Sequence, residues 1–310
     1  MNYEAILNQN HRKTFLKLKY GFEKKDINLL TFKNSIKSNK TYQLGDKQQL
    51  EKLLKVDTKE LIKTSIPNSF AIKTTFTLQA PYYSSDDDEF YIINNPCLKE
   101  KVFKVPMIRG SSWKGALLNA GRELILNGQV ESFASYFRLF GSGNQEFRDL
   151  INALEQSEED LKKELQLYAL LEGLVIYEKE SIEKLLGHIR TELLRVQKGR
   201  AIFYPTYFDK LSLEIINPHN RKTKAGTNPI HYEVVPQGTK AEMQIVYIPF
   251  DAVLESNEQS KKEAKSDLEF LKNCINKALN NGIGAKTKLG WGKGKDIKRE
   301  YFWSNKNECK

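Results

Sequence analysis

The protein has 310 residues, of which 40% are hydrophobic and 11% are aromatic, and it carries a formal net charge of +10. These values predict an ordered globular chain with one large core or two smaller ones, and the surplus of lysine and arginine favours a polyanionic partner. No apolar run approaches the roughly 20 residues of a membrane-spanning helix, no signal peptide is recognised, and three widely spaced cysteines indicate neither a disulfide framework nor a zinc site, so we expect a cytoplasmic protein without membrane contact.

The first part of the chain divides into an irregular segment and a strand. Residues 1–64 are lysine-rich and mixed in pattern, and we expect an N-terminal extension packed on a main domain of residues 65–310. A strand is predicted from about Phe70 to Gln79, because two sets of residues alternate with the period of a half-buried strand, namely Phe70, Ile72, Thr74, Phe76 and Leu78 against Ala71, Lys73, Thr75 and Thr77. An acidic run, Asp86-Asp87-Asp88-Glu89, follows in the next loop.

The first helix is predicted to begin within a basic segment and to reach about Asn127, and that segment reads Pro106-Met107-Ile108-Arg109-Gly110-Ser111-Ser112-Trp113-Lys114-Gly115-Ala116-Leu117. Ser111 or Ser112 is the expected N-cap, and Gly128 is the expected stop. Trp113 begins an apolar stripe at helical spacing, so we expect its side chain in the core. Residues 101–122 contain basic side chains and no acidic ones.

The remaining elements predict an α+β fold. Residues 144–198 form an acidic block, which we read as a helical insertion. Strands are predicted at 200–204, 211–216, 230–235 and 240–249, a helix at 261–280, and a last strand at 289–301. Without the insertion, the order β-α-β-β-α-β is that of a ferredoxin-like (RRM-like) core.

A glycine-rich basic run precedes the last strand: Gly282-Ile283-Gly284-Ala285-Lys286-Thr287-Lys288-Leu289-Gly290-Trp291-Gly292-Lys293-Gly294-Lys295. Glycine reaches positive φ and permits close approach of a bulky ligand, and backbone N–H groups between lysines favour an anion. A long phosphodiester is the anion we expect, because the basic segment near Arg109 lies far upstream. The run lacks the G-x4-G-K-S/T spacing of a nucleotide-binding loop, so we expect no cofactor.

These two motifs, in this order, resemble the RAMP superfamily of CRISPR-associated proteins, which are ferredoxin-like RNA-binding subunits of CRISPR effector complexes. Smaller features also match, namely Leu139-Phe140-Gly141-Ser142 and Gly199-Arg200-Ala201-Ile202-Phe203. The segments 213–219, 228–230 and 234–239 are most similar to the sixth RAMP subunit of the Cmr-type (type III-B) effector, whose glycine loop also reads G-h-G-A-K-T. The resemblance covers residues 70–300 and leaves residues 1–64 unmatched.

The resemblance and the basic motifs together assign RNA-contacting residues. The predicted set is Arg109, Ser111, Ser112, Lys114, Gly282, Gly284, Lys286, Thr287, Lys288, Gly290, Trp291, Gly292 and Lys293. Helix N-terminal amides and lysines bind phosphate, while Trp291 has two open interpretations, since it can stack a base or cover the sheet.

One departure from the family concerns catalysis. RAMP subunits that cut target RNA carry an Asp before the first helix, and the matching position here is Asn94, whose amide neither ligates a metal as a carboxylate does nor accepts a proton. Asp86, Asp87 and Asp88 are weak candidates for a displaced carboxylate, with a solvated acidic loop as the alternative. His219 is a further candidate base of the kind used in CRISPR RNA processing, although a turn histidine is the more ordinary interpretation.

The resemblance therefore implies a non-catalytic RNA-binding subunit of a type III CRISPR effector, with crRNA and target RNA, other RAMP subunits and the large subunit as partners. Two alternatives stay open. One is a target-RNA-cleaving backbone subunit that uses Asp86, Asp87 or Asp88 with a divalent metal, and the other is an endoribonuclease that processes crRNA.

Overall fold

The computed structural model describes residues 42–43, 56–86, 95–101, 103–141, 153, 198–219, 222, 226, 228–254 and 257–304. Most of the predicted N-terminal extension and of the predicted helical insertion lies outside these residues, as do Asp87, Asp88 and Asn94. The described part is α+β with antiparallel sheets. No helix within it is long and apolar enough to cross a membrane.

The described strands are β1 (Tyr42–Gln43), β2 (Phe70–Leu78), β3 (Met107–Ile108), β4 (Ala201–Phe203), β5 (Thr206–Tyr207), β6 (Lys210–Ile216), β7 (Ile230–Val234), β8 (Lys240–Tyr247) and β9 (Gly294–Trp303). The described α-helices are α1 (Thr58–Lys63), α2 (Gly110–Leu126), α3 (Phe133–Phe140) and α4 (Asn257–Asn281). Short 3-10 helices span Val130–Ser132, Phe250–Leu254 and Thr287–Leu289.

The central sheet has four strands in the order β4-β8-β2-β9, and all three pairings are antiparallel. Strand β2 lies inside this sheet, and its alternate residues Phe70, Ile72 and Phe76 are at most 2% exposed, as the period of two predicted. Three smaller strands form a second sheet in the order β1-β6-β7, and β3 pairs with β5. The strands predicted at 200–249 are confirmed to within a few residues at each end.

Helices α2 and α4 pack against each other over one face of the central sheet and bury the main core. Trp113, Leu271 and Ile275 are completely buried there, and the Trp113 indole N–H donates to the Thr206 hydroxyl at 2.9 Å. Full burial of one such aliphatic side chain contributes about 1.5–3 kcal/mol. The prediction that Trp113 is a core residue is therefore confirmed.

The opposite face of the sheet is covered in part by α1. The Asp57 side chain accepts from the backbone N–H groups of Lys59 and Glu60 and so caps this helix. Ile62 on α1 is fully buried and packs with Ala71 of β2, which explains why Ala71 is buried although it breaks the alternation. The remaining half of this face is polar and carries an ion pair between Lys73 and Glu242 at 2.9 Å.

Two predicted boundaries were wrong. Helix α2 begins at Gly110, and the residue before it, Arg109, is the N-cap and makes no side-chain cap hydrogen bond, so Ser111 and Ser112 lie inside the first turn rather than at the cap. A Cβ on Gly110 would lie 2.2 Å from the Phe203 carbonyl oxygen, which shows how closely the chain crosses β4 at this point. The last strand begins at Gly294 instead of Leu289, because a turn with positive φ at Gly290 and Gly292 precedes it.

The residues on the two sides of the predicted helical insertion lie next to each other beside α4. Gly141 and Lys198 form an isolated antiparallel bridge, and the Arg200 N–H donates to the Arg138 carbonyl oxygen at 2.7 Å. Both arginines bind carboxylates of α4, Arg138 to Asp267 and Arg200 to Glu263, each at 2.6 Å. The helical content and acidic surface of the residues between them stay predictions.

Candidate nucleic-acid interface

The first basic motif lies at the N-terminus of α2. Arg109 has extended backbone angles of −66° and 150°, and its side chain is exposed. Ser111 is exposed in the first turn of the helix, where N–H groups lack intrahelical partners, and Lys114 is partly exposed just beyond that turn. The helix dipole and these N–H groups favour an anion at this end.

The second motif is the segment 282–293, which we call the glycine loop. Gly282, Gly284, Gly290 and Gly292 have φ values of 94°, 88°, 82° and 73°, and Lys286 is also left-handed at 64°. A Cβ on Gly292 would lie 2.0 Å from the Ile283 carbonyl oxygen. The loop therefore closes on itself, and its glycines permit close contact within the chain in addition to the positive φ that the sequence predicted.

Basic side chains of the glycine loop point away from the core. Lys286 and Lys288 are exposed, and Lys293 and Thr287 are partly exposed. The 3-10 turn Thr287–Leu289 is held by hydrogen bonds from the N–H groups of Leu289 and Gly290, both at 2.8 Å. Within the part of the chain that the structure describes, no ion pair joins these lysines, Arg109 or Lys114 to a carboxylate.

An aromatic cluster lies under the glycine loop. Trp291 is 9% exposed, and its ring meets Tyr232 at 5.8 Å and Tyr83 at 6.4 Å in edge-to-face arrangements. The Lys286 ammonium lies 5.2 Å from the centre of the Tyr232 ring. The burial of Trp291 favours the packing interpretation over base stacking, since little of its ring is open to a base.

The chain that follows β2 runs beside both motifs. The N–H groups of Gly292 and Ala285 donate to the carbonyl oxygens of Pro81 and Tyr83, both at 2.8 Å. The Tyr82 hydroxyl donates to the Met107 carbonyl oxygen at 3.2 Å, two residues before Arg109. The structure thus brings the two motifs to the same end of strand β2.

The structure describes one of the three acidic candidates for catalysis and also the candidate His219. Of the three, Asp86 is the one the structure describes, and its carboxylate accepts from the Lys99 N–H at 3.3 Å while its own N–H donates to the Pro96 carbonyl oxygen at 3.2 Å. His219 is exposed and pairs through its backbone with Gly226. Among the described residues, no three His, Cys, Asp or Glu side chains are placed to hold one metal ion.

A buried ion pair fixes the segment that leads from residue 95 toward the first motif. The Lys99 side chain is fully buried and bonds the Glu233 carboxylate of β7, which also accepts from the Cys97 N–H at 3.0 Å. Burial raises the pKa of the Cys97 thiol to about 12, although the nearby Lys99 ammonium acts in the opposite direction. The Asn95 amide donates to the His231 carbonyl oxygen at 3.0 Å and adds a second tie to β7.

Sequence reasoning missed three features of this interface. Leu289 was assigned to the last strand, yet it is 61% exposed at the tip of the glycine loop. Tyr82 and the Lys99–Glu233 pair depend on contacts between distant parts of the chain, which no local pattern reveals. The signal that could have found Leu289 is the glycine on its C-terminal side, because Gly290 turns the chain before a strand can form.

A family model matches the part of the chain that contains both motifs. The model of the RAMP superfamily matches residues 75–295, which include both motifs. No curated protein sequence matches the chain.

Two solved structures are similar at low identity. A chain of the type III-B Cmr-beta complex bound to cognate target RNA matches with 11% identity and a TM-score of 0.42, over 98% of this chain and 81% of that chain. Cmr6 from Pyrococcus furiosus matches with 17% identity and a TM-score of 0.37, over 74% of this chain and 97% of that chain. Because the family model spans more than half of the sequence, this protein is a member of the RAMP superfamily.

Proposed function

We propose that this protein is an RNA-binding subunit of a type III CRISPR effector ribonucleoprotein and that it holds crRNA or target RNA without cutting it. The observation that carries the proposal is the placement of the Arg109 end of α2 and the glycine loop at one end of β2, with Lys286 and Lys288 exposed. Membership in the RAMP superfamily supports the type of partner.

The chemistry of this surface suits a phosphate backbone better than base edges. Lysine and arginine side chains without carboxylate partners release counterions when they neutralise phosphates. The N–H groups at the start of α2 add fixed donors, which read phosphate without regard to sequence. Binding is therefore expected to be largely independent of sequence and strongly dependent on salt.

A ferredoxin-like core is the finer description of the fold that we propose. The four strands β2, β4, β8 and β9 and the two helices α2 and α4 follow one another as β-α-β-β-α-β. Their sheet order, β4-β8-β2-β9, places the first and third strands of that unit side by side at the centre. We assign this core to residues 65–310, with residues 1–64 as an N-terminal extension and residues 144–198 as an insertion.

The proposal of a subunit that does not cut RNA rests on Asn94 and on Asp86. Asn94 stands where RNA-cleaving relatives carry an Asp, and the Asp86 carboxylate already accepts a backbone hydrogen bond from Lys99. Replacement of Asp86, Asp87 and Asp88 by Ala should leave target-RNA cleavage by the assembled complex unchanged. Loss of one cut would favour the cleaving backbone subunit instead.

The assembly is tested by isolation of the tagged full-length protein from cells that express the CRISPR locus. Mass spectrometry should identify other RAMP subunits and a large subunit, and sequencing should identify crRNA in the same fraction. The similarity of segments 213–219 and 234–239 to the sixth RAMP subunit of Cmr-type effectors predicts a complex of that type. Recovery of the protein without RNA and without other CRISPR subunits would contradict the proposal.

A further inference from the structure

Tyr82 stands between the two RNA-binding motifs and contacts both. Its side chain is 1% exposed, and its hydroxyl donates to the Met107 carbonyl oxygen at 3.2 Å, at the entrance to α2. On the other side, a Cβ on Gly284 would lie 2.8 Å from the Tyr82 ring and 2.4 Å from the Tyr83 carbonyl oxygen. The glycine loop therefore rests directly on this ring.

The position of Tyr82 is itself fixed. Its backbone exchanges two hydrogen bonds with Val235, both at 2.9 Å, and its ring packs against Phe208 with centroids 5.3 Å apart. Burial raises the pKa of the Tyr82 hydroxyl, while the Arg109 guanidinium acts weakly in the opposite direction, as expected for a positive charge in its vicinity.

We propose that Tyr82 is a positioning residue that joins the Arg109 end of α2 and the glycine loop into one phosphate-binding unit of fixed spacing. This inference rests on the proposed RNA-binding function. A rigid unit contacts the RNA strand at two points. Once the first contact has formed, the second forms at high effective concentration, so the loss of either contact also removes part of the benefit of the other. Removal of the Tyr82 hydroxyl removes its hydrogen bond to the Met107 carbonyl oxygen. The start of α2 is then no longer held to the glycine loop, and the two contacts act independently.

The test is a double-mutant cycle on the full-length protein, with a fluorescein-labelled uridine homopolymer as the probe and Kd from fluorescence anisotropy. In the wild-type background, the loss of affinity in the combined variant Arg109→Gln/Lys288→Ala should be about fivefold smaller than the product of the two single losses. In the Tyr82→Phe background the losses should multiply. Tyr136→Phe, which alters a buried tyrosine of α3, is the matched control and should keep the wild-type coupling.

The outcomes separate the two claims. Single variants that leave Kd unchanged would overturn the proposed RNA-binding surface and the inference with it. Single variants that weaken binding, together with equal coupling in the wild-type and Tyr82→Phe backgrounds, would overturn the role of Tyr82 and leave the surface in place. Loss of coupling in Tyr136→Phe as well would show a general effect of core packing and would also overturn that role. Thermal melting of each variant measures whether that variant is folded.

Discussion

Two surfaces of this protein carry lysine, and they differ in what surrounds the charge. On the polar half of the sheet face, Lys73 lies 2.9 Å from Glu242, and this pairing raises the pKa of the Lys73 ammonium. At the other surface, Lys286 and Lys288 are exposed, and no described residue forms an ion pair with them. A net charge of +10 therefore does not locate a polyanion site. The placement of particular exposed lysines in the glycine loop, at the same end of β2 as the start of α2, does so better.

The side chains of the sheet face also differ from those of an RNA-binding sheet. RNA-recognition sheets stack bases on exposed aromatic side chains. Here the polar side chains of Lys73 and Thr75 are partly exposed on β2, beside Gln244 on β8 and Glu300 on β9. A cleft of about 420 Å³ lies between this row and α1, and its lining is charged and polar apart from Val56 and Phe302, of which Phe302 packs against the buried cluster under α1. The loops at the end of β2 are therefore the better candidates for RNA contact.

The free energy of unfolding should depend most on those glycines of the loop that lie close to other backbone atoms. Gly292→Ala places a Cβ 2.0 Å from the Ile283 carbonyl oxygen at a φ of 73°, so we expect the free energy of unfolding to fall by about 4 kcal/mol or more. Gly290→Ala has a similar φ of 82° but no atom within 4 Å, so it should cost about 1–2 kcal/mol. Urea denaturation measures both, and equal losses would contradict the close contact within the loop.

The buried ion pair next to the loop surface should matter more than the ion pair of the sheet. Lys99→Met leaves the Glu233 carboxylate without its charge partner in a largely buried site, and we expect a loss of about 3–5 kcal/mol. Lys73→Met breaks a partly exposed pair and should cost about 0–1 kcal/mol. The ratio of these two losses, again from urea denaturation, is the measurement. A Lys99→Met variant as stable as Lys73→Met would show that the pair contributes little to the structure.

A smaller effect is expected at Leu289, which is 61% exposed between Lys288 and Gly290. Leu289→Ala should leave the melting temperature unchanged and weaken binding of the uridine homopolymer about threefold, or about 0.7 kcal/mol. Phe250, which is 65% exposed near α4, provides the control, and Phe250→Ala should not change RNA affinity. Equal affinity for the two variants would remove Leu289 from the interface.

The sequence patterns predicted these strands and helices because the side chains that each pattern places on one face are buried in the structure. The alternation from Phe70 and the helical stripe that begins at Trp113 both face the core, as their periods of two and 3.6 residues indicate. The cap at Ser111 or Ser112 failed because the start of α2 is set by the close approach of Gly110 to β4, which is a tertiary contact.

The site was predictable only as two separate motifs. The sequence identified the glycines and lysines between Gly282 and Lys293, since their composition alone suggests an anion site. It did not identify the contact of Tyr82 with Met107 and Gly284, because the three residues come from different parts of the chain and none carries a charge. For the same reason, it left the position of Trp291 undecided until its neighbours were known.

The salt dependence of RNA binding tests most directly the claim that the lysines of the glycine loop, and not those of the sheet face, contact RNA. Two full-length triple variants remove the same charge from the two surfaces, Lys286→Ala/Lys288→Ala/Lys293→Ala from the glycine loop and Lys73→Ala/Lys240→Ala/Lys298→Ala from the sheet face. For a single strand, each lost phosphate contact lowers the slope of log K against log salt by about 0.7. The loop variant should lose about 2 units of slope, and the sheet variant should keep that of the wild type. Equal slopes in the two variants would contradict the account.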